Sequence, residues 1–162
     1  MKIGVISDTH IPDRAKDLPL KILNDFKNLD MIIHAGDLID LSVLDKLKNI
    51  CPQVKAVWGN MDPAEVRKKL PEKEVFKVLN YKIGLTHGYG HPQKLIELMQ
   101  EIFKHDKVDI IIFGHSHNPV NEYRNNILYF NPGSLTDKIF SIYNSYGIIE
   151  INDKIKARII KL

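Results

Sequence analysis

The sequence has a single cysteine, Cys51, which excludes an internal disulfide and a zinc site built from cysteines and suits a reducing compartment. It also lacks any apolar run near the roughly 18 residues that a bilayer-spanning helix needs. The first residues lead straight into a strand-like run with no signal-peptide pattern, so the expectation is a cytoplasmic protein without a membrane partner. No block carries charge of one sign. The net charge of +3 and pI near 8.8 come from lysines scattered along the chain, so no basic arm singles out nucleic acid as a partner. Internal repeats and low-complexity stretches are absent as well. What is present, 44% hydrophobic and 27% charged residues, is the balance of an ordinary folded chain, and 162 residues suit one domain, 1–162, with a real core.

The first half alternates strand-like and helix-like patterns. Strands are expected at Lys2 to Ser7, Met31 to Ala35 and Val54 to Trp58. Helices are expected at Leu18 to Leu29, with Asp17 as N-cap and Pro19 in the first turn, and at Leu38 to Ile50, capped by Asp40 or Ser42. This β-α-β-α-β order implies a parallel sheet. Pro63 to Lys73 reads as a short helix plus loop, Glu74 to Leu79 and Lys82 to Thr86 as a hairpin, Pro92 to His105 as the last long helix, and Asp109 to Phe113 as a strand. From Val120 the pattern turns antiparallel. Val120 to Arg124 and Ile127 to Phe130 flank Asn125-Asn126, and Tyr146 to Ile151 and Ile155 to Ile160 flank Asn152-Asp153-Lys154. The expected class is α/β, two mixed sheets face to face with helices outside.

Five apolar runs end in the same manner, each delivering Asp, Asn or His. They lead into Asp8-Thr9-His10, Gly36-Asp37, Gly59-Asn60-Met61-Asp62, His87-Gly88 and Gly114-His115-Ser116-His117. In open α/β sheets, ligand sites gather beyond the carboxyl ends of strands, so these groups can converge despite their distance in sequence. Two Asp, one Asn and four His form a mixed oxygen and nitrogen set suited to Mn, Fe, Co, Ni or Zn, whereas calcium and magnesium prefer oxygen alone. Seven ligands exceed one tetrahedral ion and suffice for two if a carboxylate bridges.

In this order the five blocks resemble the signature motifs of calcineurin-like metallophosphoesterases, and most closely the small single-domain prokaryotic phosphodiesterases. The resemblance runs from Met1 to about Ser134. It implies a four-layer αββα sandwich with a dinuclear centre of divalent transition-metal ions. Matched by position, Asp8, His10 and His117 would hold one ion, Asn60, His87 and His115 the other, and Asp37 would bridge. The implied reaction is hydrolysis by in-line attack of a metal-bridging hydroxide, with Asp37 and Asn60 at the catalytic centre and Asn60 stabilising the phosphoryl oxygens.

One departure bears on substrate. Where family members that cleave poor leaving groups from phosphomonoesters often carry His after the motif Asn, this chain has Met61, which cannot protonate a departing oxygen. That tilts the expectation toward diesters, with His91 as the best substitute acid. Phosphomonoester hydrolysis on the same centre is the alternative. A protein-binding scaffold of this fold, as among some eukaryotic relatives, is a further one, set back by the intact set of seven. His34 reads as a packed group that orients a ligand, His105 as a helix-end residue, Asp62 as a support for Asn60, and Arg14, Asn118 and Asn131 as either loop residues or substrate contacts. A small phosphoester substrate is implied. A nucleotide-derived ester, a nucleic-acid end and self-association are all compatible with the sequence, which selects none of them.

Overall fold

The computed structural model describes residues 1–162. The opening β-branched run forms β1 (Lys2–Ile6), which pairs in parallel with β2 (Met31–His34), and β2 in parallel with β3 (Val54–Ala56). The C-terminal hairpin, β9 (Ser145–Ile151) and β10 (Ile155–Lys161), joins the free edge of β1 with β9 antiparallel to it. The first sheet therefore has the order β10-β9-β1-β2-β3. The second, β4-β5-β6-β8-β7, is built from β4 (Lys73–Val78), β5 (Tyr81–Thr86), β6 (Ile110–Ile112), β7 (Val120–Arg124) and β8 (Ile127–Asn131). In it β5, β6 and β8 are parallel. The antiparallel reading after Val120 thus holds for the β7–β8 hairpin, while β8 also runs parallel to β6. Asn125 and Asn126, at φ 50 and 64, supply the two left-handed residues a tight hairpin turn demands.

Period-two alternation assigns each strand residue to a layer. Ile3 and Val5 of β1, Ile33 of β2, Ile83 and Leu85 of β5, and Phe130 of β8 point between the sheets and fill the central core. On the outer face of the first sheet, Ile6, Ile32 and Ile148 pack against α1 (Leu20–Asp25), α2 (Ser42–Ile50) and α3 (Ala64–Lys69). On the outer face of the second, Ile111 and Tyr129 pack under α4 (Leu95–Phe103), which follows a 3-10 turn at Pro92–Lys94. The result is four layers, αββα. Each fully buried Ile or Phe contributes about 1.5–3 kcal/mol.

Two helices are shorter than their apolar spacing predicts. α1 starts at Leu20, with Pro19 at the cap position, because the Asp17 carboxylate is engaged by the Leu18 N–H at 2.7 Å and by Lys46 at 2.8 Å. It ends at Asp25, yet Phe26 and Leu29 remain buried on the same core. Apolar spacing here reported burial, and a turn satisfied it as well as a helix. α2 starts at Ser42 with Leu41 as its cap. Asp40 accepts the Ser42 N–H at 2.8 Å from outside the cap position. Leu38 is buried ahead of α2, outside the helix.

Candidate metal centre

The carboxyl ends of β1, β2, β3, β5 and β6 meet at one end of the two sheets, and there the backbone is forced. Asp8, His10, Asp37, His115 and His117 all have φ between 42 and 70. Left-handed geometry costs a non-glycine residue about 1–3 kcal/mol and persists only where surrounding structure imposes it, often at functional sites. Neighbouring glycines leave the room. A Cβ on Gly59 would overlap the Asp37 carboxylate, and one on Gly114 would overlap Ser7 Oγ and approach Asp8 Oδ2 to 2.9 Å.

All seven candidate ligands are brought together. Asp8 Oδ1 is buried without a hydrogen-bond partner and is faced by Nε2 of His117 at 3.1 Å, of His87 at 3.8 Å and of His10 at 3.9 Å. Asp37 Oδ2 lies 3.3 Å from His87 Nε2 and 3.8 Å from His10 Nε2, between the two sides of the cluster. Asn60 Oδ1 is 3.2 Å from His87 Nε2 and 2.8 Å from His115 Nδ1. Two overlapping groups that share Asp8 are compact enough to hold an ion, Asp8 with His10 and His117, and Asp8 with Asp37 and His87.

The far nitrogens of three histidines are committed elsewhere. His87 Nδ1 donates to Ala35 O at 2.6 Å, His117 Nδ1 to the Asp137 carboxylate, and His115 Nε2 to Gly90 O at 2.9 Å. In the neutral ring each therefore turns a lone pair toward the cluster, the tautomer a metal ligand needs. Without a cation, these acceptors must share protons. Burial pushes the His87 imidazolium down, but the charges of Asp8 and Asp37 outweigh it and carry His87 to about 9. Burial likewise pushes Asp8 up, and His87 and His117 reverse it, to about 2.

Asp62, buried, accepts the N–H groups of Asp37 at 3.0 Å, Ile39 at 2.6 Å and Gly59 at 2.8 Å, and so ties the end of β2 to the end of β3. His34 bonds Thr9 Oγ1 at 3.0 Å and accepts the Gly36 N–H at 3.2 Å, holding the first two motif loops in register. Asn131 Nδ2 donates to Gly114 O at 2.7 Å and Ser116 Oγ at 3.1 Å, which braces the last loop. His91 is exposed, caps the 3-10 turn by accepting the Gln93 N–H, and is not among the residues that line the cleft. Arg14 does line it. Sequence reasoning missed Asp137. Buried and twenty residues beyond His117, it binds that histidine's Nδ1 and the Arg14 guanidinium at 2.9 Å, and no motif spacing marks it.

The cleft above these groups encloses about 420 Å³. No helix is long and apolar enough to cross a membrane. Residues 1–154 match the family described as the calcineurin-like phosphoesterase superfamily domain. A probable metallophosphoesterase of Methanocaldococcus jannaschii, MJ0623, is 39% identical over 165 residues, covering 100% of this chain and 82% of its own. Phosphodiesterase MJ0936 of the same organism is 30% identical over 167 residues and 95% of both chains. Among solved structures, wild-type Vps29 of Entamoeba histolytica complexed with zinc aligns with a TM-score of 0.77 at 26% identity over 99% of both chains.

Proposed function

The chain belongs to the calcineurin-like phosphoesterase superfamily, and from that membership we propose a phosphodiesterase that works through two divalent metal ions. The observation that carries the reading is the buried, unpartnered Asp8 Oδ1 facing histidine nitrogens, two of which have their opposite ring nitrogen tied down by Ala35 O and Asp137. Acceptors crowded at 3.1–3.9 Å repel one another unless positive charge sits among them. The donor set fits such ions. Asp8, His10 and His117 would hold one, and Asn60, His87 and His115 the other, with Asp37 between them. When bound, divalent ions supply Lewis acidity that neutralises phosphoryl charge and acidifies water toward neutral pH.

The chain's own groups do the positioning. Asp62 holds the Asp37 backbone N–H, and the Met61 N–H donates to Asp37 Oδ1 at 2.7 Å, which leaves Oδ2 facing both histidine sides. Asn60, exposed at the cleft, can turn its amide N–H toward a phosphoryl oxygen while Oδ1 faces inward. Arg14 adds a fixed cation at the rim. Met61 lines the cleft and cannot protonate a leaving group, and His91 lies outside the lining residues and accepts the Gln93 N–H of its own turn. This favours diesters and activated leaving groups over monoesters of poor ones.

The test is turnover of bis(p-nitrophenyl) phosphate against p-nitrophenyl phosphate by protein loaded with Mn, Ni, Fe, Co or Zn in turn. Diester hydrolysis that exceeds monoester hydrolysis, stops on chelation and disappears in Asp37→Asn and His115→Ala supports the reading. A full rate in metal-free protein overturns it. The likeness to Vps29 favours a second reading, a protein-binding scaffold. Absence of turnover with every metal, together with one stoichiometric protein partner, would select it.

A further inference from the structure

We propose that Arg14 and Phe140, locked to His117 through Asp137, form the subsite that seats a planar aromatic ester group, so that the substrates are aryl or nucleobase-bearing phosphodiesters. The proposal rests on the phosphodiesterase reading and names its substrate class.

Phe140 is 65% exposed, which alone is ordinary for a loop aromatic. Its setting is not ordinary. It lines the metal cleft, its backbone N–H donates to Asp137 Oδ2 at 3.0 Å, and the preceding Ile139 N–H donates to Oδ1 at 2.9 Å. The same carboxylate holds His117 Nδ1 and the Arg14 guanidinium. One buried side chain thus fixes a candidate metal ligand, a cation and an aromatic wall in a single arrangement. The Phe140 ring meets the His117 ring edge-on, with centroids 6.1 Å apart, and the Arg14 guanidinium carbon stands 5.6 Å from the Phe140 centroid.

A phosphorus atom placed beside the clustered Asp and His groups has its ester substituents directed out along the cleft walls. On one wall those substituents meet the exposed Phe140 ring, over which the Arg14 guanidinium also stands. Arg14 commits Nη1 to Asp137 and keeps its other N–H groups for phosphoryl oxygens. Its side chain is 31% exposed, so part of the guanidinium reaches solvent in the cleft. A flat ring gains from offset stacking on Phe140 and from the adjacent cation, whereas a small alkyl ester gains neither.

Non-hydrolysable probes separate recognition from turnover. Affinities of Mn-loaded protein for phenylphosphonate and methylphosphonate are measured by titration calorimetry. The wild type should prefer the phenyl compound by roughly three- to tenfold. Phe140→Leu, which keeps apolar bulk without a ring, should bring that ratio close to one, and Phe140→Trp should restore it. Arg14→Gln should weaken both ligands. Equal affinities in the wild type, no phenylphosphonate binding at millimolar concentration, or a preference that survives Phe140→Leu would each overturn the subsite. Failure of the broader reading is a different result, the absence of metal-dependent turnover of bis(p-nitrophenyl) phosphate.

Discussion

The metal-free protein should lose stability in mild acid, and the buried His34 contributes a separable part of that loss. It is fully buried, its Nε2 is bonded to Thr9 Oγ1 at 3.0 Å, and its Nδ1 accepts the Gly36 N–H, so the folded state holds it neutral. Burial is the main cause that takes it from 6.5 down to about 3, and the charges of Asp8 and Asp37 offset only part of this. Because the folded pKa lies below the unfolded one, the unfolded chain takes up a proton first as pH falls. The stability held by neutral His34 is therefore complete above 6.5 and drains as pH drops toward 3. At about 1.4 kcal/mol per pH unit the loss is about 2 kcal/mol by pH 5 and approaches 5 kcal/mol below pH 3. Against a typical total of about 5–15 kcal/mol, that is a large fraction. The perturbation is His34→Gln, which keeps a donor and an acceptor but does not titrate. Urea unfolding of both proteins in chelator at pH 7.5 and pH 5 gives two stability differences. The wild-type advantage should shrink by about 2 kcal/mol between the two pH values. A difference unchanged between them would refute the claim that His34 is buried and neutral.

Three further outcomes follow from the same geometry. Asp62→Ala strips acceptors from the N–H groups of Asp37, Ile39 and Gly59 and should lower stability by about 3 kcal/mol or more in urea unfolding, whereas a loss under about 1 kcal/mol would mean that water replaces the carboxylate. Gly59→Ala pushes a methyl group into Asp37 and should cut bound metal per chain, measured by elemental analysis, while circular dichroism stays native. With His87 at about 9 in the metal-free chain, metal must displace its proton. Mn affinity should therefore rise roughly tenfold per pH unit up to that value, with proton release seen as a buffer-dependent calorimetric enthalpy. A pH-independent affinity between 7 and 8 would rule that out.

Much of the site was legible because its chemistry sits where a short apolar run stops. Asp8, Asp37, Asn60, His87 and His115 each follow an apolar strand-like run, the positions of β1, β2 and β5 follow from the same signal, and that of β7 follows from the hairpin turn at Asn125-Asn126. The ends of α1 and α2 were harder to read, since Leu29 and Leu38 are apolar for the core's sake while the chain around them is not helical.

Residue type and order alone determined the layered α/β class and the identity of the ligand-type side chains, because burial periodicity and strand-end placement are local properties. Only the tertiary structure decided which nitrogens face the cluster, that Asp137 joins His117 to Arg14 and Phe140, and that His91 turns to its own helix. Those are contacts between loops that share no spacing in sequence, and packing of the two sheets is what brings them within bonding distance.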